Sequence, residues 1–352
     1  MAGTVKMDTK RPIWIFILGA ILTAGIVTDC YMWRMHMPNH IDLMPVPMAE
    51  GEIRTIHAIQ LLPTSRGMEL ITASQDSDER GLSPYRMVLS AASLSAPAAD
   101  KVRLFEIDLF LPSLSAWEVT AGNDGQLMVV YEFNGGAVNA LLIKEAAGNK
   151  RSVSHRYPFN SFHHPHFIRY AGAARGDAVL ASQDKKEIVL FTKDKDGQFG
   201  NFQVLVKGDD AILLEGDHGL LLLSKEATPG PSKFDRLPGA LYFTRLTSDY
   251  QPEDSHPALP ERLVIYDFDA CIHNDEIYLL AVADSGVVFL KASLQEERMR
   301  FVPLVEVSGD RHFTHPSVAC SGAAIYGALI ENIQQDNAGI FFFKWPVDAG
   351  NR

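Results

Sequence analysis

Short apolar or alternating runs recur along most of the chain, each closed by a turn sequence, and this cadence limits the fold more than any other feature. Examples are IHAIQLL (56–62), MELITAS (68–74), YRMVLSAA (85–92), VRLFEIDLF (102–110), GLLLLSK (219–225), RLVIYDFDA (262–270), EIYLLAVA (276–283) and GIFFFKW (339–345). Runs of this length and composition read as strands. Between such runs stand NDG (123–125), NGG (134–136), KDKDG (193–197), EGDHG (215–219), HND (273–275), DSG (284–286) and DNAG (336–339). Asn and Asp tolerate left-handed turn positions, and Gly occupies them without steric cost. After the N-terminal region no amphipathic helical pattern of about 12 residues or more is present. A parallel α/β fold, whose crossovers need helices, is therefore disfavoured.

A degenerate repeat underlies the cadence. ASQD occurs at Ala73–Asp76 and again at Ala181–Asp184, and VADSG stands at 282–286. His-Pro leads into a strand in FHHPHFIRY (162–170) and in HFTHPSVACSGAAIYGAL (312–329). The units fall at 54–95, 102–148, 160–198, 200–248, 262–296 and 301–346, a spacing of roughly 40–50 residues, which is the size of a four-stranded blade. The expectation is an all-β chain folded as a β-propeller, six blades first and seven next. Trp345 lies in the last apolar strand, which is expected to close the ring against the first blade.

The N-terminus differs. Pro12 to Thr28 is uncharged, Lys6, Lys10 and Arg11 precede it, and Tyr31 and Trp33 follow. A run of this kind reads as a transmembrane helix with its N-terminus in the cytoplasm. A cleaved signal peptide and, through Cys30, a lipoprotein are the rival readings. The expected organisation is a cytoplasmic N-terminus (1–11), a membrane anchor (12–33), a spacer (34–53) holding Pro38, Pro45 and Pro47, a propeller (54–346) and a tail (347–352). That organisation places the protein in the cytoplasmic membrane as a single-pass chain with its bulk in the periplasm or outside.

The formal net charge is −11, and it grows more negative once the basic residues ahead of the anchor are set aside. A field of that sign argues against nucleic acid as a partner. Of the three cysteines, Cys271 and Cys320 are candidates for a disulfide in an oxidising compartment, and no CxxC motif occurs.

Two histidine clusters stand out. In an extended Phe162–His166 segment, His164 and His166 share one face, as imidazoles at i and i+2 do on a strand. Asp310 and His312 share a face in the second cluster, and His315 joins them through a turn. Brought to a central funnel, His164, His166, His312 and His315 would make a transition-metal site. No cofactor is otherwise expected. Carboxylates form the other candidate set: Asp76, Asp184 and Asp284 follow strands in similar positions, with Glu118, Glu215 and Asp269 also available. Paired carboxylates on separate blades carry glycoside hydrolysis. A GxSxG elbow, a P-loop and a GxGxxG turn are all absent. The loop 225–233 between two strands is a candidate partner contact.

With no specific catalytic motif, a non-enzymatic role is expected. The chain reads as an accessory, scaffold or assembly subunit that contacts membrane proteins of a larger complex, with the bilayer met through residues 12–33. The alternatives are a glycosidase-like propeller hydrolase and a metal-binding propeller using the funnel histidines.

Overall fold

The computed structural model describes residues 41–46, 55–64, 67–76, 85–94, 102–109, 117–121, 127–133, 137–146, 150–159, 167–170, 178–182, 187–193, 196, 199–227, 238–260, 263–296, 299–307, 312–333 and 337–347. The anchor at 12–33, the tail from 348 and the greater part of the 225–233 loop lie outside these residues. Among the described residues the regular structure is all strand.

β1 (Met44–Pro45) precedes a meander of β2 (Thr55–Thr64), β3 (Gly67–Asp76), β4 (Tyr85–Ser93) and β5 (Val102–Leu109). A second antiparallel sheet joins β6 (Trp117–Ala121), β7 (Leu127–Phe133), β8 (Ala137–Ala146) and β9 (Lys150–Phe159). The third joins β10 (Phe167–Tyr170), β11 (Ala178–Ser182), β12 (Glu187–Lys193) and β13 (Phe199–Lys207). A wider sheet follows. Its first half is β14 (Asp210–Gly216), β15 (Gly219–Ala227) and β16 (Gly239–Leu246), with β17 (Pro252–Pro257) on β16. Its second half is β18 (Ile265–His273), β19 (Glu276–Ala283), β20 (Gly286–Ser293) and β21 (Val302–Val307). The halves meet through a single pair, Gly239 opposite Ile265. The last sheet runs β22 (Phe313–Ser321), β23 (Ala324–Ile333), β24 (Asn337–Pro346) and then β1.

The turn chemistry follows the sequence. Asn274 and Asp275 both take positive φ, 49° and 61°, and join β18 to β19 with His273 opposite Glu276. That is the two-residue hairpin whose twist matches the flanking strands. Gly219 and Gly286, with φ of 105° and 124°, open β15 and β20 after their turns.

First strands of successive sheets and half-sheets touch in a closed cycle: β2, β6, β10, β14, β18, β22 and back to β2. Such a cycle sets these strands around one axis, the plan of a propeller. The apolar cores lie between neighbouring sheets. Phe268, Leu279 and Leu290 pack with Leu221, Leu241 and Phe243 from the adjoining half-sheet. Phe289 and Tyr278 pack on Phe343 and Leu329 of the last sheet. Ile330 and Ile340 meet Ile59, Leu61 and Leu70 of the first. Central strands are thus buried on both faces, which is why β19 reads as an almost continuous apolar run.

β24 packs on the first sheet through Ile340, and its free edge is taken by a further strand. β24 pairs not with the first meander but with β1, Met44 opposite Phe342 and Pro45 opposite Phe341. The Val46 N–H donates to the Ile340 carbonyl at 2.8 Å. Residues 44–46, in the segment read as spacer, therefore supply the outer strand of the last sheet, an edge position that tolerates proline.

Candidate active site

The strand beginnings of the inner cycle carry a buried ionic cluster. In β18 the sequence Asp267-Phe268-Asp269-Ala270-Cys271 alternates. Phe268 and Ala270 enter the core shared with β14–β16, while Asp267, Asp269 and Cys271 turn to β22. The period of two along a strand produces this division. Asp267 Oδ2 accepts from the His315 N–H at 3.2 Å, and Asp269 Oδ2 accepts from the Val318 N–H at 2.7 Å. Cys271 and Cys320 are joined by a disulfide.

Arg169 reaches this group from β10. Its Nη2 donates to the Phe268 carbonyl at 2.8 Å, and its guanidinium lies 5.5 Å from the centre of the Phe268 ring. Nε stands 3.3 Å from Asp210 Oδ1 at the start of β14. Asp267 Oδ1 is 3.8 Å from Nη2, and Asp269 Oδ1 is 3.5 Å from Nη1. Side-chain exposures are 11% for Arg169, 9% for Asp210, 5% for Asp267 and 15% for Asp269. Three carboxylates thus share one guanidinium out of bulk water, a setting in which charge is expensive. Burial pushes the Asp269 carboxyl up to about 6, against the opposing pull of Arg169 and of the Val318 and Ala270 N–H groups, with the Asp210 charge adding to the rise. A carboxyl held near neutrality can carry a proton to a substrate and give it up.

A second buried cation supports the same end of the sheet. Lys225 has 2% side-chain exposure; its Nζ donates to the Tyr266 carbonyl at 2.6 Å and lies 3.7 Å from Asp209 Oδ1. The Tyr266 hydroxyl donates to the Asp284 carboxylate. That bond raises the Tyr266 phenol above its ordinary value, with burial and the Asp284 charge adding, so the phenolate is disfavoured.

The residues singled out from sequence fall as follows. Asp269 is in the cluster. His315 meets it through its backbone N–H, while His312 is exposed just before β22. Asp284 is exposed on the turn before β20 with Tyr266 as its partner. Glu215 lies near the far end of β14. Asp76 closes β3 and Glu118 follows the first residue of β6. His164, His166, Asp184 and Asp310 lie outside the described residues. Among the described residues no group of three or more His, Cys, Asp or Glu is placed to hold a metal.

Arg169, Asp210 and Asp267 are absent from the sequence-based candidates. The available signal was weak: an arginine inside FIRY, and two aspartates at i and i+2 inside an otherwise apolar strand. An apolar crevice lined by Gly216, Leu220, Leu221, Ile272, Leu294 and Met299 lies at the other end of β14 and β18, away from this chemistry.

No family model matches the sequence, and no curated protein is similar to it in sequence. Solved structures do match in fold. The Trypanosoma rangeli sialidase in complex with the inhibitor DANA aligns with a TM-score of 0.52 at 11% identity, over 86% of this chain and 57% of that chain. A mutant of that sialidase displaying trans-sialidase activity aligns at 0.51 and 12% identity, over 87% of this chain and 57% of its own. The subtype N11 neuraminidase-like protein of A/flat-faced bat/Peru/033/2010 (H18N11) aligns at 0.53 and 9% identity, over 90% of this chain and 96% of that one. The chain therefore spans a little over half the length of the trypanosomal enzymes.

These findings correct the sequence-based reading of role and place. A non-enzymatic accessory, scaffold or assembly subunit was expected, contacting membrane proteins and the bilayer. The matched chains are instead sialidases and a neuraminidase-like protein. The inner strands moreover bring together three buried carboxylates on one guanidinium. The single-pass inner-membrane placement falls with that reading. Among the described residues no helix is long and apolar enough to cross a membrane. The likeness is one of fold, and it makes this chain an all-β domain related to the propellers on which sialidases are built.

Proposed function

We propose that the chain is a sugar-acting hydrolase on a six-bladed propeller, with its reaction centre at Arg169, Asp210, Asp267 and Asp269. The blade number is supported by the closed cycle of first strands and by the single residue pair that joins the two halves of the widest sheet. The observation that carries the chemistry is Asp269. Its carboxyl is mostly buried, holds its proton to about pH 6, and sits beside two further carboxylates on one guanidinium.

In glycoside cleavage one carboxylic acid protonates the departing oxygen while a second carboxylate meets the positive charge that develops on the sugar. Asp269 is assigned the first part. Asp267 and Asp210 are assigned the second, with Arg169 fixing their positions. The sialidase and neuraminidase-like relatives in fold favour a glycoside as substrate over other hydrolysable groups.

The test is turnover on a panel of 4-methylumbelliferyl glycosides that includes neutral hexosides, hexosaminides, uronides and sialosides. Asp269→Asn should lower kcat at least about 100-fold on the accepted sugar, the usual scale for loss of a general acid. The wild-type rate should fall as pH rises through about 6, because the acid loses its proton there. No turnover across the panel, or full activity in Asp269→Asn, would overturn the assignment.

A further inference from the structure

β18 and β22 belong to different sheets and share no backbone ladder. What joins them at this end is a row of three side-chain links from alternate residues of β18. Asp267 takes the His315 N–H, Asp269 takes the Val318 N–H, and Cys271 is bonded to Cys320 with the two Cα atoms 6.0 Å apart. Two of the links are hydrogen bonds to carboxylates, which open when the strands drift. The third is covalent.

We propose that the Cys271–Cys320 disulfide is a positioning element for Asp269, fixing the gap between β18 and β22 so that one carboxylate oxygen stays on Val318 while the other stays on Arg169.

Three features carry this. Cys271 follows Asp269 by two residues on one face of one strand, a separation of about 7 Å. A covalent tie that close leaves the neighbouring link little slack. Cys320 likewise stands two residues beyond Val318, so the bond and the hydrogen bond join the same two short segments. Asp269 is also stretched between strands: Oδ2 is held by β22, and Oδ1 faces Arg169 from β10. Movement of β22 alone would uncover it.

Around the approach to this row the backbone is already under tension. His315 takes a φ of 50° immediately before Pro316, a conformation unfavourable for a non-glycine residue and more so ahead of proline. Its N–H is aimed at Asp267 in that conformation. Charged groups facing Asp269 are Arg169 from β10, Asp210 from β14 and Asp267 on its own strand; β22 offers the Val318 N–H, with His315 turned to Asp267. Both cysteines are partly exposed.

A disulfide that merely constrains the unfolded chain would change the unfolding midpoint and leave the native carboxyl untouched. The two roles separate in a titration. The Asp269 carboxyl resonance is assigned in the full-length 13C-labelled protein by difference from Asp269→Asn, and followed from about pH 4 to about pH 8, which brackets the carboxyl range. The measurement is made on the oxidised protein and again after dithiothreitol, which takes the S–S bond to two thiols and is itself oxidised to its cyclic disulfide.

Loosening of Val318 and Arg169 alone would push the Asp269 midpoint up, but admission of water relieves the larger influence, burial, so the net shift should be about one pH unit down, toward the ordinary carboxylate range. An unmoved midpoint in a protein whose circular dichroism stays native would overturn the proposal. If reduction unfolds the chain, the Cys271→Ala/Cys320→Val pair keeps the space filled without the bond, and the same two outcomes apply. The effect on glycoside turnover rests on the hydrolase reading: reduction should move the falling limb of the rate profile with the titration. Absence of turnover would sink that reading and leave the titration to decide the positioning role.

Discussion

Asp269 and Asp284 show how much a carboxylate's surroundings decide. Both follow or interrupt apolar runs, and both stand out as acids in a chain of strands. Asp284 ended on an exposed turn, with a phenol for a partner. Asp269 ended between two inner strands, where burial raises it. The consequence for stability has a definite sign. A carboxyl whose folded pKa lies above its unfolded value favours the fold while protonated in both states. Its contribution is complete below about pH 4 and is lost as pH rises through about 6. Wild-type protein should therefore lose on the order of 3 kcal/mol of stability across that window from this group. Asp269→Asn should flatten this part of the profile in urea unfolding followed at several pH values. Sequence could place Asp269 among the available acids and no further. Arg169, Asp210 and Asp267 became neighbours only when distant segments were brought around one axis, and no local pattern encodes that meeting.

Elements were more legible than sites. The turn sequences before Glu276, Gly219 and Gly286 lead into the strands they announce, because left-handed turn positions leave few residue choices. Strands with little apolar alternation were harder to see. β17 (PEDSHP) is exposed at every position and, among the described strands, pairs with β16 alone, so no core imposes a pattern on it. β1 is two residues long and sits inside a proline-rich stretch. Packing also dictates single residues within elements. A methyl added at Gly327 of β23 would overlap the Phe343 ring on β24, and that ring stands edge-on to Phe289 at 5.2 Å. Gly327→Ala should therefore destabilise by about 1–3 kcal/mol, the scale of an overpacked core. Phe343→Leu in the same background should recover part of that loss, and thermal unfolding of the wild type, the single variant and the double variant would test the pair.

At the scale of the molecule the ring depends on residues 41–46. Ile41 and Val46 are buried, Val46 in the interface between the last sheet and the first, and β1 gives β24 its outer neighbour. Removing residues 1–46 would withdraw two buried aliphatic side chains, each worth about 1.5–3 kcal/mol. Differential scanning calorimetry should show a lower midpoint for that truncation than for one ending at residue 40. The repeat of strand, turn and strand was enough to foresee a propeller-like ring; it did not foresee the buried ionic cluster, because the sheets repeat for packing while Arg169, Asp210, Asp267 and Asp269 are exceptions to the repeat.

The position of β1 also bears on how the chain is made. Its partner, β24, lies far downstream in the sequence, so β1 leaves the ribosome long before the strand it pairs with. The meanders can form as they emerge, each from neighbouring strands joined by short turns. The ring can shut only afterwards, by a contact between residues 44–46 and 340–342, a long-range pairing whose loop-closure cost slows folding. A chain cut before Asn337 would leave Val46 without the Ile340 carbonyl and β1 without a strand to pair with.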